Sequence, residues 1–153
     1  MLPSDEGNLK EIVALSFSKL MGFFALHSLL SEEGQVLVGV NQGTISAFAK
    51  IIKFKIGGVK YGCLLWLAVH PSFRKRGYAL ALTNAATFQL KPDGAMIVFA
   101  STQRKNQAAL ATLRKAGFEQ KGFLSLWRIF RWQALRLYKD IWLAPGEVVL
   151  MHC

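Results

Sequence analysis

Acidic residues are scarce in this chain: nine Asp and Glu stand against nineteen Lys and Arg, for a formal net charge of +10. A site built from paired carboxylates is therefore hard to assemble, and Glu32, Glu33, Glu119 and Asp140 are the acids placed to reach a cleft. Cysteine is nearly missing as well. Cys63 falls inside a predicted strand and Cys153 stands at the end, a pair that suggests neither a disulfide framework nor a zinc site, so no metal is expected. No apolar run is long enough to span a bilayer, since the longest, Leu20 to Leu30, is short and interrupted by His27 and Ser28. The opening Met-Leu-Pro-Ser-Asp-Glu has no basic region ahead of an apolar segment, which does not read as a signal peptide. The expected compartment is the cytoplasm. Repeats and low-complexity linkers are missing too.

What is present suits one compact unit. With 153 residues, 52% of them hydrophobic, the chain is long enough to bury a substantial core, and a single domain over 1–153 is expected. The positive charge is spread in small groups, over 50–60, 74–76, 104–105, 114–115 and 128–139, without one dense tract. A nucleic-acid partner is accordingly not expected.

Hydrophobic periodicity orders the elements. Leu9, Ile12, Val13, Leu15 and Phe17 recur at near-helical spacing after a short extended start, with Asn8 or Ser4 as candidate cap, and a second helix is expected over Leu20 to Ser31. Val36 to Val40 reads as a strand, Asn41-Gln42-Gly43 as a turn, and Thr44 to Ile56 as a longer strand. Gly57-Gly58 is a hairpin turn, after which Val59 to Val69 returns nearly all apolar, as a strand buried on both faces does. A helix over Gly77 to Leu90 stops at Lys91-Pro92-Asp93-Gly94. There follow a strand over Ala95 to Ser101, a helix over Asn106 to Ala116 closed by Gly117, and strands over Phe118 to Gly122 and Glu147 to His152. Between them, Trp127, Phe130, Ala134, Leu137, Tyr138 and Ile141 form one stripe, with Arg128, Arg131, Arg136 and Lys139 largely away from it, which favours an amphipathic helix. Such a helix also has the composition of one that lies on a membrane surface. The fold class expected is α/β, a mixed sheet with helices on both faces.

The most informative stretch is Arg74-Lys-Arg-Gly77-Tyr-Ala79, directly after Leu67-Ala68-Val69-His70-Pro71. A strand halted by proline, then a basic loop with glycine where a helix begins, presents unpartnered N–H groups and the positive end of a helix dipole to an anion. Gly77 permits close backbone approach, and Arg74, Lys75 and Arg76 add positive field.

Arg74-x-x-Gly77-x-Ala79 resembles the acetyl-CoA signature of the GNAT N-acetyltransferase superfamily, Gln/Arg-x-x-Gly-x-Gly/Ala. Asn106-Gln-Ala-Ala109-Leu-Ala-Thr-Leu113-Arg-Lys-Ala-Gly117-Phe118 is similar to that family's next motif, an Asn-led helix closed by Gly-Phe. The resemblance covers about Ile45 to Gly122. It implies a sheet of about six or seven strands with a splayed fourth and fifth pair, and transfer of an acetyl group from acetyl-CoA to a primary amine. It further implies that Leu67, Ala68 and Val69 pair with the pantetheine arm, that the pyrophosphate lies over Arg74, Lys75, Arg76, Gly77, Tyr78 and Ala79, and that Asn106 touches the arm. The Val69 N–H would stabilise the oxyanion. The phosphates of acetyl-CoA would account for part of the basic balance.

Three features depart from the family or leave its chemistry incomplete. Leu113 stands where many members carry a tyrosine that protonates the leaving thiolate, and no dedicated general base is visible; His70, Tyr61 and His27 are the non-carboxylate candidates. Over 124–142 the family usually has two strands and a turn, so the resemblance implies an insertion or a long bent hairpin there. A non-catalytic acyl-CoA-binding module is the alternative that the missing groups suggest, a basic nucleic-acid or membrane-surface binder is a further one, and a homodimer through the aromatic C-terminal segment is also open.

Overall fold

Ser18 divides the apolar N-terminal segment into two helices, α1 (Pro3–Ser16) and α2 (Lys19–Leu30), its Oγ accepting the Met21 N–H at 3.4 Å. The computed structural model describes residues 3–91, 97–141, 143 and 146–153. Helix α1 begins earlier than the sequence reading has it. Pro3 occupies the first turn, where its missing N–H costs nothing, and Asp5 and Glu6 oppose the positive end of the helix dipole. Asn8 and Ser4 consequently lie within the helix and are not its caps.

Strands β1 (Gln35–Asn41), β2 (Thr44–Ile56) and β3 (Val59–Val69) form an antiparallel meander. Its turns, Gln42-Gly43 and Gly57-Gly58, all have positive φ, the geometry whose twist matches paired strands. Helix α3 (Tyr78–Leu90) then carries the chain to β4 (Ile97–Gln103), which lies parallel to β3. Next come α4 (Gln107–Lys115), β5 (Glu119–Lys121), α5 (Phe123–Phe130), α6 (Gln133–Asp140) and β6 (Glu147–His152). Strand β6 inserts between β4 and β5, giving one six-stranded mixed sheet in the order β1-β2-β3-β4-β6-β5.

Helices cover both faces. Ala47, Ala49, Ile51, Leu64, Val98, Ala100 and Leu150 pack under α3 and α4, against Leu82, Ala86, Leu90, Leu110 and Leu113. On the other face α1 and α2 cover Phe48, Trp66 and Ala68, while α5 and α6 cover Ile52, Cys63, Phe99 and Val149. Complete burial of a leucine-sized side chain stabilises by about 1.5–3 kcal/mol, so these two layers hold the sheet from both sides.

The segment over 124–142 is neither one helix nor a hairpin. Arg131 takes φ +50° and ends α5, so α6 restarts after it as a second short helix. Of the expected stripe, Phe130, Ala134, Leu137 and Ile141 seat on the sheet together with Leu126, Trp127 is partly buried against them, and the Tyr138 side chain lies outside the described part of the structure. The helix stop predicted at Pro92-Asp93-Gly94, the strand start at Ala95, and Trp142 lie outside the described residues. Among the described residues, no helix is long and apolar enough to cross a membrane.

Candidate functional site

A bulge in β3 shapes the centre of the sheet. Lys50 of β2 lies opposite Trp66 and Ile51 opposite Leu64, leaving Leu65 with no residue across from it. Leu65 and Trp66 therefore both turn toward the face covered by α1 and α2, and the strand changes direction. The ladder from β3 to β4 ends at the same point: it runs from Tyr61 opposite Ile97 to Leu64 opposite Ala100. Beyond it β3 continues to Val69 on β2, and β4 continues to Gln103 on β6. The two central strands part, and a wedge opens between Leu65–Val69 and 101–103.

Backbone alternation decides what faces that wedge. The His70 N–H donates to the Ser46 carbonyl at 2.8 Å, on the β2 side. Successive N–H groups along a strand point to opposite edges, so the Val69 N–H and C=O point into the wedge. Arg74 Nε donates to that Val69 carbonyl at 3.1 Å, and its Nη2 reaches Ser16 Oγ at 3.4 Å.

The basic loop follows a single tight turn over Pro71–Phe73. His70 caps this turn, its Nδ1 accepting the Ser72 N–H at 3.2 Å, with Nε2 3.6 Å from the Glu11 carboxylate. The hydrogen bond assigns the ring proton of the neutral form to Nε2. Arg76 stacks over Phe73 at 5.4 Å. Gly77 has φ +85°, and a Cβ built on it would meet nothing within 4 Å. Glycine is needed there for its backbone conformation, and the space above it is open. The first bond of α3 is Ala81 N–H to Gly77 C=O at 2.9 Å, so the N–H groups of Tyr78, Ala79 and Leu80 precede the helical ladder. The ring of Tyr78 packs against β1, where a Cβ on Gly39 would lie 3.0 Å from it.

Asn106 caps α4 through Oδ1, which accepts the Ala109 N–H at 3.1 Å. Leu113, on the inner side of α4, is buried as a core residue. Tyr61 is held apart from the wedge, on the half of β3 where the ladder is closed. Its ring lies among Phe54, Phe99 and Phe130, at 8% exposure, and burial pushes its phenol above the usual value. Among the candidate acids, Glu119 is engaged by Lys121 at 2.7 Å, which holds its carboxyl below the usual range.

One acid escaped the sequence reading. Ser101, the first β4 residue beyond the ladder, donates through Oγ to Glu147 Oε2 at 2.9 Å. The β4–β6 register puts both side chains on the face opposite α3 and α4. Forty-six positions separate the two, and no local signal connects them.

A parted pair of central strands that leads to a glycine-started helix can take an extended chain along the strand edge and an anionic group at its end. The model of the acetyltransferase (GNAT) family matches residues 10–118. The chain belongs to the GNAT acetyltransferase family. Solved structures share its fold across nearly the whole chain. A Pyrococcus horikoshii protein superposes with a TM-score of 0.74 at 13% identity, over 99% of this chain and 92% of its own. The Escherichia coli ribosomal-protein-S18-alanine N-acetyltransferase gives 0.67 at 17% identity, over 99% and 89%. A Bacillus subtilis acetyltransferase in complex with CoA gives 0.65 at 18% identity, over 95% and 91%. No curated protein matches the chain significantly. GNAT members use acetyl-CoA, and the residues present here fit it: the wedge is open, the Val69 N–H faces it, and the space over Gly77 is clear.

Proposed function

We propose that the chain, as one domain over 1–153, transfers the acetyl group of acetyl-CoA to a primary amine by direct attack with both substrates bound. The observation that carries this reading is the wedge between β3 and β4, which ends over the open start of α3. Leu67, Ala68 and Val69 offer their edge to the pantetheine arm. The N–H groups of Gly77, Tyr78 and Ala79 hold the pyrophosphate, with Lys75 and Arg76 exposed beside them. Asn106 spends its Oδ1 on the helix cap, so its Nδ2 is the atom left to donate to the arm. Arg74 acts on the end of β3 and positions the Val69 amide.

The Val69 N–H donates to the thioester carbonyl oxygen as negative charge develops there, and holding amine and thioester together supplies much of the remaining rate. Glu147 takes the proton that the ammonium must lose before attack. A serine hydrogen bond holds its carboxylate at the mouth of the wedge, where neither His70 nor Tyr61 has an equivalent position.

Calorimetric titration of acetyl-CoA into wild type and into Gly77→Glu tests the reading. Binding by wild type, lost in a folded variant that carries a carboxylate over the first turn of α3, supports it. A wild type that does not bind sinks it. The buried leucine at 113 favours a second reading, an acyl-CoA-binding module without turnover. Release of free CoA thiol in the presence of an amine separates the two.

A further inference from the structure

The outer surface of α5 and α6 has no role in the chemistry above. The inner stripe is fully committed to the sheet, yet the outer side carries Leu124, Ile129, Trp132 and Leu135, with Leu124 at 76% and Trp132 at 78% exposure. Interleaved with them are the exposed cations Arg128, Arg131 and Lys139. A purely solvent-facing helix surface needs no such cluster of apolar residues, and lysine is ordinarily depleted in a protein-facing patch. Aromatic and aliphatic side chains set among long basic ones match the boundary between lipid headgroups and acyl chains. There the rings and leucines sink while guanidinium and ammonium groups stay at the phosphates.

We propose that the outer face of α5 and α6 docks this protein on an anionic lipid surface. The charge selects this occupant over two others. A second copy would bring the same cations against each other across a twofold axis, which like-charge repulsion opposes. A nucleic acid would satisfy the cations but has no use for Leu124, Ile129 and Leu135, because aliphatic chains offer bases no stacking platform. Among the described residues no helix is long and apolar enough to cross a membrane, and the attachment proposed is a peripheral one. The inference does not depend on the acetyl-transfer reading.

Flotation of the full chain with phosphatidylcholine vesicles and with vesicles also containing phosphatidylglycerol tests it. Binding is expected to the anionic vesicles alone. The pair Arg128→Gln with Lys139→Gln should weaken it by roughly thirtyfold. Trp132→Ser with Leu135→Ser should weaken it by at least about tenfold while circular dichroism and acetyl-CoA binding stay unchanged, since all four side chains are exposed. Wild-type fluorescence should be quenched by brominated acyl chains, and Trp132→Phe should remove that component. The proposal is overturned by absence of binding, by equal binding to neutral vesicles, or by retention in the apolar variant. A concentration-dependent dimer that shields Trp132 from quenchers would likewise overturn it.

Discussion

Arg74 Nε and the Val69 carbonyl, 3.1 Å apart, tie the basic loop to the last residue of β3. The N–H of the same residue, on the preceding peptide unit, faces the wedge, so the guanidinium steadies the proposed oxyanion donor through the Val69 backbone without touching the reacting atoms. Losing one such bond costs about 1 kcal/mol, or about fivefold in kcat/KM. Arg74→Met should show this loss, and Arg74→Lys should match it, because lysine keeps the charge but lacks Nε. Steady-state kinetics with varied acetyl-CoA decide; full rescue by lysine would mean that the charge alone matters.

Glu147→Gln should keep the hydrogen bond from Ser101, since the amide oxygen still accepts, yet remove the proton acceptor. We expect kcat to fall by about a hundredfold or more with acetyl-CoA affinity unchanged. A variant with near wild-type turnover would place the base elsewhere.

Lys50 is an unusual buried cation, 1% exposed in the middle of β2, whose Nζ donates to the Ser31 carbonyl at the end of α2 at 3.2 Å. Burial lowers its pKa, and the Glu33 carboxylate offsets this only partly. The folded chain therefore holds this proton less tightly than the unfolded chain. Below the lowered value the folded state bears the whole cost of the buried ammonium, and stability recovers as pH rises toward the ordinary lysine value of 10.5. Denaturant unfolding of wild type and Lys50→Met should show the stability of wild type relative to the variant increasing over that window. A difference that does not change with pH would contradict the assignment.

Cys63 is 1% exposed, and burial, with a smaller contribution from Glu147, pushes its thiol up to about 12. At pH 8 only about one in ten thousand molecules would carry the thiolate. A thiol reagent should accordingly modify Cys153 alone in the native protein, and Cys63 only after denaturation. Rapid labelling of both would show that the face covered by α5 and α6 opens readily.

Much of the framework was legible because it is local. The bounds of β2 and β3 follow from the Gly57-Gly58 turn and the apolar runs beside it, and Gly117, at φ +88°, closes α4 where a left-handed residue was expected. The Arg74 to Ala79 loop is legible as a candidate anion site through one glycine and three cations, since helix starts attract anions whatever follows them. At Asn106 the capping role was equally open to a reading of side-chain chemistry.

The amino-acid sequence by itself determined the order of the elements, the faces that they bury, and the helix start that suits a phosphate, because each depends on neighbours within a few residues. Tertiary structure alone decided the rest. The wedge needs a bulge at Leu65 and a parallel partner that leaves β3 there. Glu147 meets Ser101 only through β4–β6 pairing, and Tyr61 proves to be core only once Phe54, Phe99 and Phe130 surround it. The break at Arg131 arises where two short helices fit the sheet better than one straight one, a choice made by packing across the sheet that no periodicity along the chain encodes.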